Sequence, residues 1–189
     1  MERLLACNPP WHDIVASVKY LTLIRHAKSS QENPALRDDQ RPLNPRGLRD
    51  APAMGHHLDV TFRFTPDLIV SSPAVRALHT ARLIAGTIGY SEWQIVQDAR
   101  IYEAPVTSLL DVIRSQDDRH QHVCLVGHNP GMEDLTNWLC GGQEVENVVT
   151  CAVIMLDLKI ASWQKAGAGT ASLKEYLYPS LIGMGKMLD

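Results

Sequence analysis

A chain of 189 residues, 45% hydrophobic and 21% charged, with a formal net charge of −3, suits one domain with a substantial core and is short for two. The mild acidity argues against general nucleic-acid or membrane-surface binding, both of which need a basic excess, and no apolar run approaches the length of a membrane span. Cys7, Cys124, Cys140 and Cys151 are widely spaced without a Cys-x-x-Cys pair; Cys124 and Cys151 fall in apolar, strand-like runs and read as reduced core thiols of a cytoplasmic protein.

Residues 1–18 lack the basic start, apolar middle and small-residue cleavage site of a signal peptide, and Pro9-Pro10-Trp11 interrupts any helix there. The expectation is a loosely ordered extension ahead of a single catalytic domain over 19–189. Tyr20-Leu-Thr-Leu-Ile-Arg25 is apolar and bounded by charge, and reads as a buried strand that breaks off into His26. A polar, loop-like span follows to Pro42. Asn44-Pro45 then opens a helix, with Asn as the cap and Pro in the first helical position. Leu48, Ala51, Met54, His57 and Leu58 mark its buried stripe, and Gly47 allows close packing against the sheet.

Asp67 to Ser72 is a second strand. Ser72-Pro73 repeats the cap-and-proline signal for a helix from Ala74 to about Ile88. Trp93 to Val96 reads as a third strand, Val106 to Arg114 as a helix, and His122 to Gly127 as a strand. Asn129-Pro130 signals another capped helix, running to about Leu139. Ala152–Asp157 and Ser162–Lys165 read as a closing pair of strands, and the tail from Ala171 as a surface segment. Strands alternating with helices imply an α/β fold, a three-layer α/β/α sandwich whose mainly parallel central sheet has an antiparallel edge.

Three of these strands end in polar punctuation: Arg25-His26, Ser71-Ser72-Pro73 and His128-Asn129-Pro130. In a mainly parallel sheet the ends point the same way, into the crevice where ligands bind. Two helix N-termini add free N–H groups there, and Arg76 lies within reach. Arg25, Arg76, His26 and His128 around one point suit a phosphate, whose oxygens accept bidentate bonds from guanidinium groups. Ser72 and Asn129 are further phosphate-binding candidates. His120 and His122 share a strand spacing but have no third ligand, so no metal site is expected.

Leu-Ile-Arg-His-Ala, Ser-Ser-Pro-x-x-Arg-Ala-x-x-Thr-Ala and Val-Gly-His-Asn-Pro-Gly, in this order, resemble the histidine phosphatase superfamily, and Arg41-Pro-Leu-Asn-Pro-Arg-Gly47 resembles its SixA-like phosphohistidine phosphatase branch. Ala27 stands where many relatives have Gly. The resemblance implies that His26 attacks phosphorus and is transiently phosphorylated, dividing one displacement into two. The arginines and His128 then stabilise the charge on the transferring group, with no metal or cofactor. Repulsion from Arg25 and Arg76 favours the neutral imidazole that attack requires. Glu103 and Asp38 are rival candidates for the leaving-group acid, and either could be a solvated loop carboxylate.

Little chain between Gly89 and Gln121 is left for a helical lid. An open site points to phosphohistidine on a protein as substrate. The alternatives are a small phosphomonoester or phosphoanhydride, or a phosphate-binding module without turnover. A monomer is expected, with neither nucleic acid nor membrane as partner.

Overall fold

The computed structural model describes residues 18–183, so the expected extension over 1–18, all but its last residue, lies outside the described residues, as does Cys7. In chain order the elements are β1 (Lys19–Arg25), α1 (Pro45–Phe62), β2 (Leu68–Ser71), α2 (Val75–Thr87), β3 (Val96–Gln97), α3 (Val106–Arg114), β4 (His122–Gly127), α4 (Gly131–Cys140), β5 (Val153–Leu158) and β6 (Ala171–Leu177). One sheet runs β3-β2-β4-β1-β5-β6. The pairs β3/β2, β2/β4 and β4/β1 are parallel, and β5 and β6 add the antiparallel edge.

Both faces of the sheet are apolar along its inner strands, β2, β4, β1 and β5, which are largely buried on both sides. Ile24, Ile69, Cys124, Val126 and Val153 pack with Ala51, Met54 and Leu58 of α1 and Ala77, Ala81 and Ile84 of α2. Leu21, Leu23, Leu125, Ile154 and Leu156 pack on the other face with Leu109 and Ile113 of α3 and Met132, Leu135 and Leu139 of α4. The result is the three-layer α/β/α sandwich read from the sequence. Its parallel register sets Arg25 beside Gly127 and Ser71 beside Val126, so His26, Ser72 and His128 all emerge at one rim.

The signals at α1 act as read: Asn44 Oδ1 accepts from the Gly47 N–H at 2.9 Å, with Pro45 leading the helix. Gly47 is a close approach, since a Cβ there would stand 2.3 Å from the Lys28 carbonyl oxygen. Leu48 does not join the stripe. It is 43% exposed, at the margin of a face led by Gly47, Ala51, Met54 and Leu58.

Other expectations need correction. Ser72 is not the cap of α2, which begins two residues later than the proline pattern suggests; Ala74 is the cap, and Ser72 Oγ only accepts from the Ala74 N–H at 3.3 Å. Asn129 does not cap α4 either, since Pro130 takes that position. The predicted third strand is a 3-10 turn at Glu92–Gln94, with Trp93 87% exposed, and pairing is confined to Val96–Gln97.

Ser162–Lys165 is no strand. Trp163 opens a 3-10 turn there, fully buried, with Nε1 donating to the His120 carbonyl at 2.9 Å. The closing strand is β6, in the stretch read as surface tail. Between Met155 and Leu156 the β5/β6 register shifts. Such a bulge breaks the alternation that marks a strand in sequence.

Candidate active site

His26 is 8% exposed, and its N–H continues the ladder by donating to the Gly127 carbonyl at 2.9 Å. Its Nδ1 lies 2.8 Å from the Ala27 carbonyl. A carbonyl only accepts, so the proton sits on Nδ1 and Nε2 keeps its lone pair. Arg76 Nε donates to that lone pair at 3.2 Å. The ring of His128 stands with its centroid 5.0 Å from that of His26. Its Nε2 is 2.9 Å from Ser72 Oγ. With Ser72 donating, the His128 proton is carried on Nδ1, which is buried without a partner among the described residues.

Arg76 is 4% exposed on the first turn of α2. Thr80, one turn on, donates from Oγ1 to the Arg76 carbonyl at 2.7 Å and accepts from the Ala27 N–H at 3.0 Å. One hydroxyl thus binds the backbone after His26 to the helix that carries Arg76. Arg25 Nη1 donates to the Val148 carbonyl at 2.5 Å, and its Nε is buried and unpartnered among the described residues. The structure therefore brings Arg25, His26, Arg76, His128 and Ser72 to one rim, with Ser72 acting on His128.

Asn129 does not offer the donor expected of it. Its Nδ2 gives both hydrogens away, to Glu133 Oε2 and the Val148 carbonyl, each at 3.0 Å. Only the acceptor Oδ1 remains, and an ionised phosphate oxygen supplies no hydrogen for it. Glu133 also accepts from the Val148 N–H at 2.9 Å, so Asn129 and Glu133 together fix the loop on which Arg25 rests.

The two carboxylates singled out as acids fare differently. Glu103 is exposed on a left-handed backbone, φ 46°. Asp38 comes into the site at the tip of a loop pinched at its base by a Ser29–Leu43 bridge. Its Oδ2 accepts from Arg76 Nη2 at 2.7 Å and from the Tyr102 hydroxyl at 2.8 Å, and its Oδ1 from Arg41 Nη1 at 2.9 Å. Its carbonyl also takes a bond from Arg76 Nη1. Thr80, Tyr102, Arg41 and Glu133 were not foreseen. Thr80 lies in the quoted motif and Tyr102 precedes Glu103, but no spacing along the chain reports contacts across 53 to 64 positions.

A model of the histidine phosphatase superfamily (branch 1) matches residues 21–107. An uncharacterized chloroplastic protein of Arabidopsis thaliana is 30% identical over 157 residues, covering 78% of this chain and 70% of that one. The chain belongs to the histidine phosphatase superfamily. Among solved structures, the "putative phosphohistidine phosphatase SixA" of Agrobacterium tumefaciens is 29% identical, with a TM-score of 0.71 over 85% of this chain and 98% of that one. The protein histidine phosphatase SixA complexed with tungstate shares the fold at 17% identity, with a TM-score of 0.74 over 86% of this chain and 99% of that one. Within the superfamily the chain is SixA-like, a phosphatase that works through a histidine.

The electrostatics suit that chemistry. Burial is the largest influence on His26 and presses its pKa down to about 4; the bond to the Ala27 carbonyl opposes this, and the charges of Arg76, Arg25 and Arg41 add to it. The repulsion expected from Arg25 and Arg76 acts in the same direction but is secondary to the loss of water. Burial, then His26 and Arg76, push His128 down to about 3, against the pull of Asp38. Both rings are neutral near pH 7. Partial burial raises the pKa of Asp38, but the bonds from Tyr102 and Arg76 and the charges of Arg76 and Arg41 outweigh it and hold the carboxyl below its ordinary value. Among the described residues no group of three or more His, Cys, Asp or Glu side chains is gathered as a metal site would gather them.

Proposed function

We propose that the chain removes the phosphoryl group from phosphohistidine on a protein, with His26 as nucleophile. Nε2 attacks phosphorus while the P–N bond of the substrate breaks. The electron pair leaves with the substrate imidazole, which takes up a proton from solvent. The Arg76 Nε–H, freed from the lone pair, turns its hydrogen bond to a phosphoryl oxygen. Arg25 and the neutral Nδ1–H of His128 supply the other donors, so the two fixed guanidiniums do what a metal ion does in other phosphoryl transfers. Water then attacks phosphorus, the P–N bond to His26 breaks with its electron pair returning to Nε2, and inorganic phosphate leaves.

The observation that carries this reading is the state of Asp38. Its oxygens are committed to Arg76, Arg41 and Tyr102, so it serves poorly as a proton donor, and Glu103 faces solvent. An alkoxide leaving group needs a well-placed acid; an imidazole, with a pKa near neutrality, does not. A macromolecular substrate is supported by the open surroundings. Between β3 and α3 the chain has only residues 98–105, with a single 3-10 turn. Beside Asp38 a surface groove of about 240 Å³, lined by Gln31, Asn33, Pro34, Leu36 and Arg41, leaves room for polypeptide flanking the phosphorylated residue.

The test compares kcat/KM on a phosphohistidine protein, free phosphohistidine and common sugar phosphates. The protein substrate should lead. Rapid quench should trap an acid-labile, base-stable phosphoenzyme that is missing in His26→Ala. Preference for sugar phosphates would refute the substrate class, and full turnover by the Ala variant would refute the nucleophile.

A further inference from the structure

The clamp on Arg76 has a feature that charge alone does not explain. A carboxylate beside an oxyanion pocket repels the substrate and offsets part of the positive charge that holds it. Asp38 nevertheless has both oxygens turned onto the pocket's own cations. We infer that Asp38 is a positioning residue: it fixes the Arg76 guanidinium so that its Nε–H faces the point between His26 and the transferring phosphoryl group. The inference rests on the pocket reading given above.

The geometry is that of a fork held at two points. Arg76 Nη2 meets the Asp38 carboxylate at 2.7 Å while Nη1 meets the carbonyl of the same residue, so the planar guanidinium has one orientation left, with Nε toward His26. Asp38 is itself held. Arg41 binds its second oxygen, and Arg41 is anchored on Ser29 Oγ at 2.6 Å and the Ser30 carbonyl at 3.2 Å. Tyr102 closes the arrangement. Its hydroxyl donates to Asp38, its ring meets His128 edge-on at 5.4 Å, and the Arg76 guanidinium carbon lies 5.9 Å from its centroid. Two guanidiniums against one carboxylate leave a net positive charge at the clamp, so orientation is gained without losing the field.

Proton donation and positioning make different demands on Asp38→Asn. An acid matters most when the leaving group is poor, so its loss grows with leaving-group pKa. A misaligned Arg76 penalises every substrate alike. The experiment measures kcat/KM on two aryl phosphates of well-separated leaving-group pKa, and the Kd of tungstate as a non-reacting oxyanion, in the wild type, Asp38→Asn, Tyr102→Phe, Arg76→Ala and the Asp38→Asn/Arg76→Ala double variant. The Asp38 side chain is 41% exposed, so Asp38→Asn should fold, which a melting curve checks; Tyr102→Phe loosens the same clamp independently.

Asp38→Asn should lose roughly 10- to 100-fold in kcat/KM, by the same factor on both esters, and bind tungstate more weakly. Tyr102→Phe should lose less in the same direction. In the Arg76→Ala background, Asp38→Asn should change either quantity by less than about twofold, the signature of residues acting as a unit. A loss that grows with leaving-group pKa, tighter tungstate binding in Asp38→Asn, or an undiminished effect without Arg76 would each overturn the inference. Coupling of Asp38 to Arg76 in tungstate binding, together with full turnover by His26→Ala, would leave the clamp standing and remove only the nucleophile.

Discussion

At Thr80 one hydroxyl does two jobs. It is fully buried and ties the Ala27 N–H to the α2 backbone at Arg76. Thr80→Val keeps the shape and removes the oxygen, leaving a buried N–H unpaired at a cost of about 1–3 kcal/mol. Urea unfolding of Thr80→Val should show that loss, and kcat should fall with it because the spacing between His26 and Arg76 is no longer fixed; an unchanged unfolding midpoint would show that another acceptor takes the hydrogen bond from the Ala27 N–H. The four residues proposed to hold the anion were legible at this scale, as Arg-His and His-Asn-Pro after strands and Arg after Ser-Ser-Pro. Their supports were not. A Thr, a Tyr and an Asp in polar loops look like any others until the chain is folded.

Between neighbouring elements the decisive contact is the one made by α1 on the segment after β1. Gly47 lets the helix N-terminus touch the Lys28 backbone, where an added methyl would meet the carbonyl oxygen at 2.3 Å and the nitrogen at 3.0 Å. Backbone cannot step aside as a side-chain tip can. Gly47→Ala should therefore destabilise by about 1–3 kcal/mol despite its better helix propensity, and a thermal melt should register it as a lower midpoint. A rise would mean that propensity outweighs the clash. The same loop delivers Asp38, so this packing reaches the site.

Strand and helix boundaries were readable where burial is two-sided, as at β1 and β4, or where a cap is strong, as at α1. They were misread at β3, where only two residues pair, and at β6, where the bulge opposite Met155 and Leu156 breaks the alternation.

At the scale of the whole molecule, three imidazoles among the described residues are enclosed in neutral form. His26 and His122 are pushed down to about 4 and His128 to about 3, chiefly by burial. The ring of His122 lies 2.9 Å from Thr22 Oγ1 and edge-on to Phe64. The unfolded chain takes up protons on these rings as the pH falls through 6.5, the ordinary value, while the folded chain takes them up only near 4 and below. In that window the unfolded state binds more protons, so stability is complete above it and declines as the pH falls toward 4. The urea midpoint should be lower at about pH 5 than at about pH 7.5. Equal midpoints would mean that the rings are not excluded from water as the structure has them.

By itself, the order of apolar runs, caps and prolines determined the layered architecture and the rim where Arg25, His26, Arg76 and His128 meet, because local periodicity and strand direction are short-range properties written along the chain. Only the tertiary structure decided that Asp38 is clamped as a carboxylate, that Asn129 gives its hydrogens to Glu133 and Val148, and that the histidines are neutral chiefly through enclosure. Those outcomes depend on which distant groups share a few ångströms of low-dielectric space.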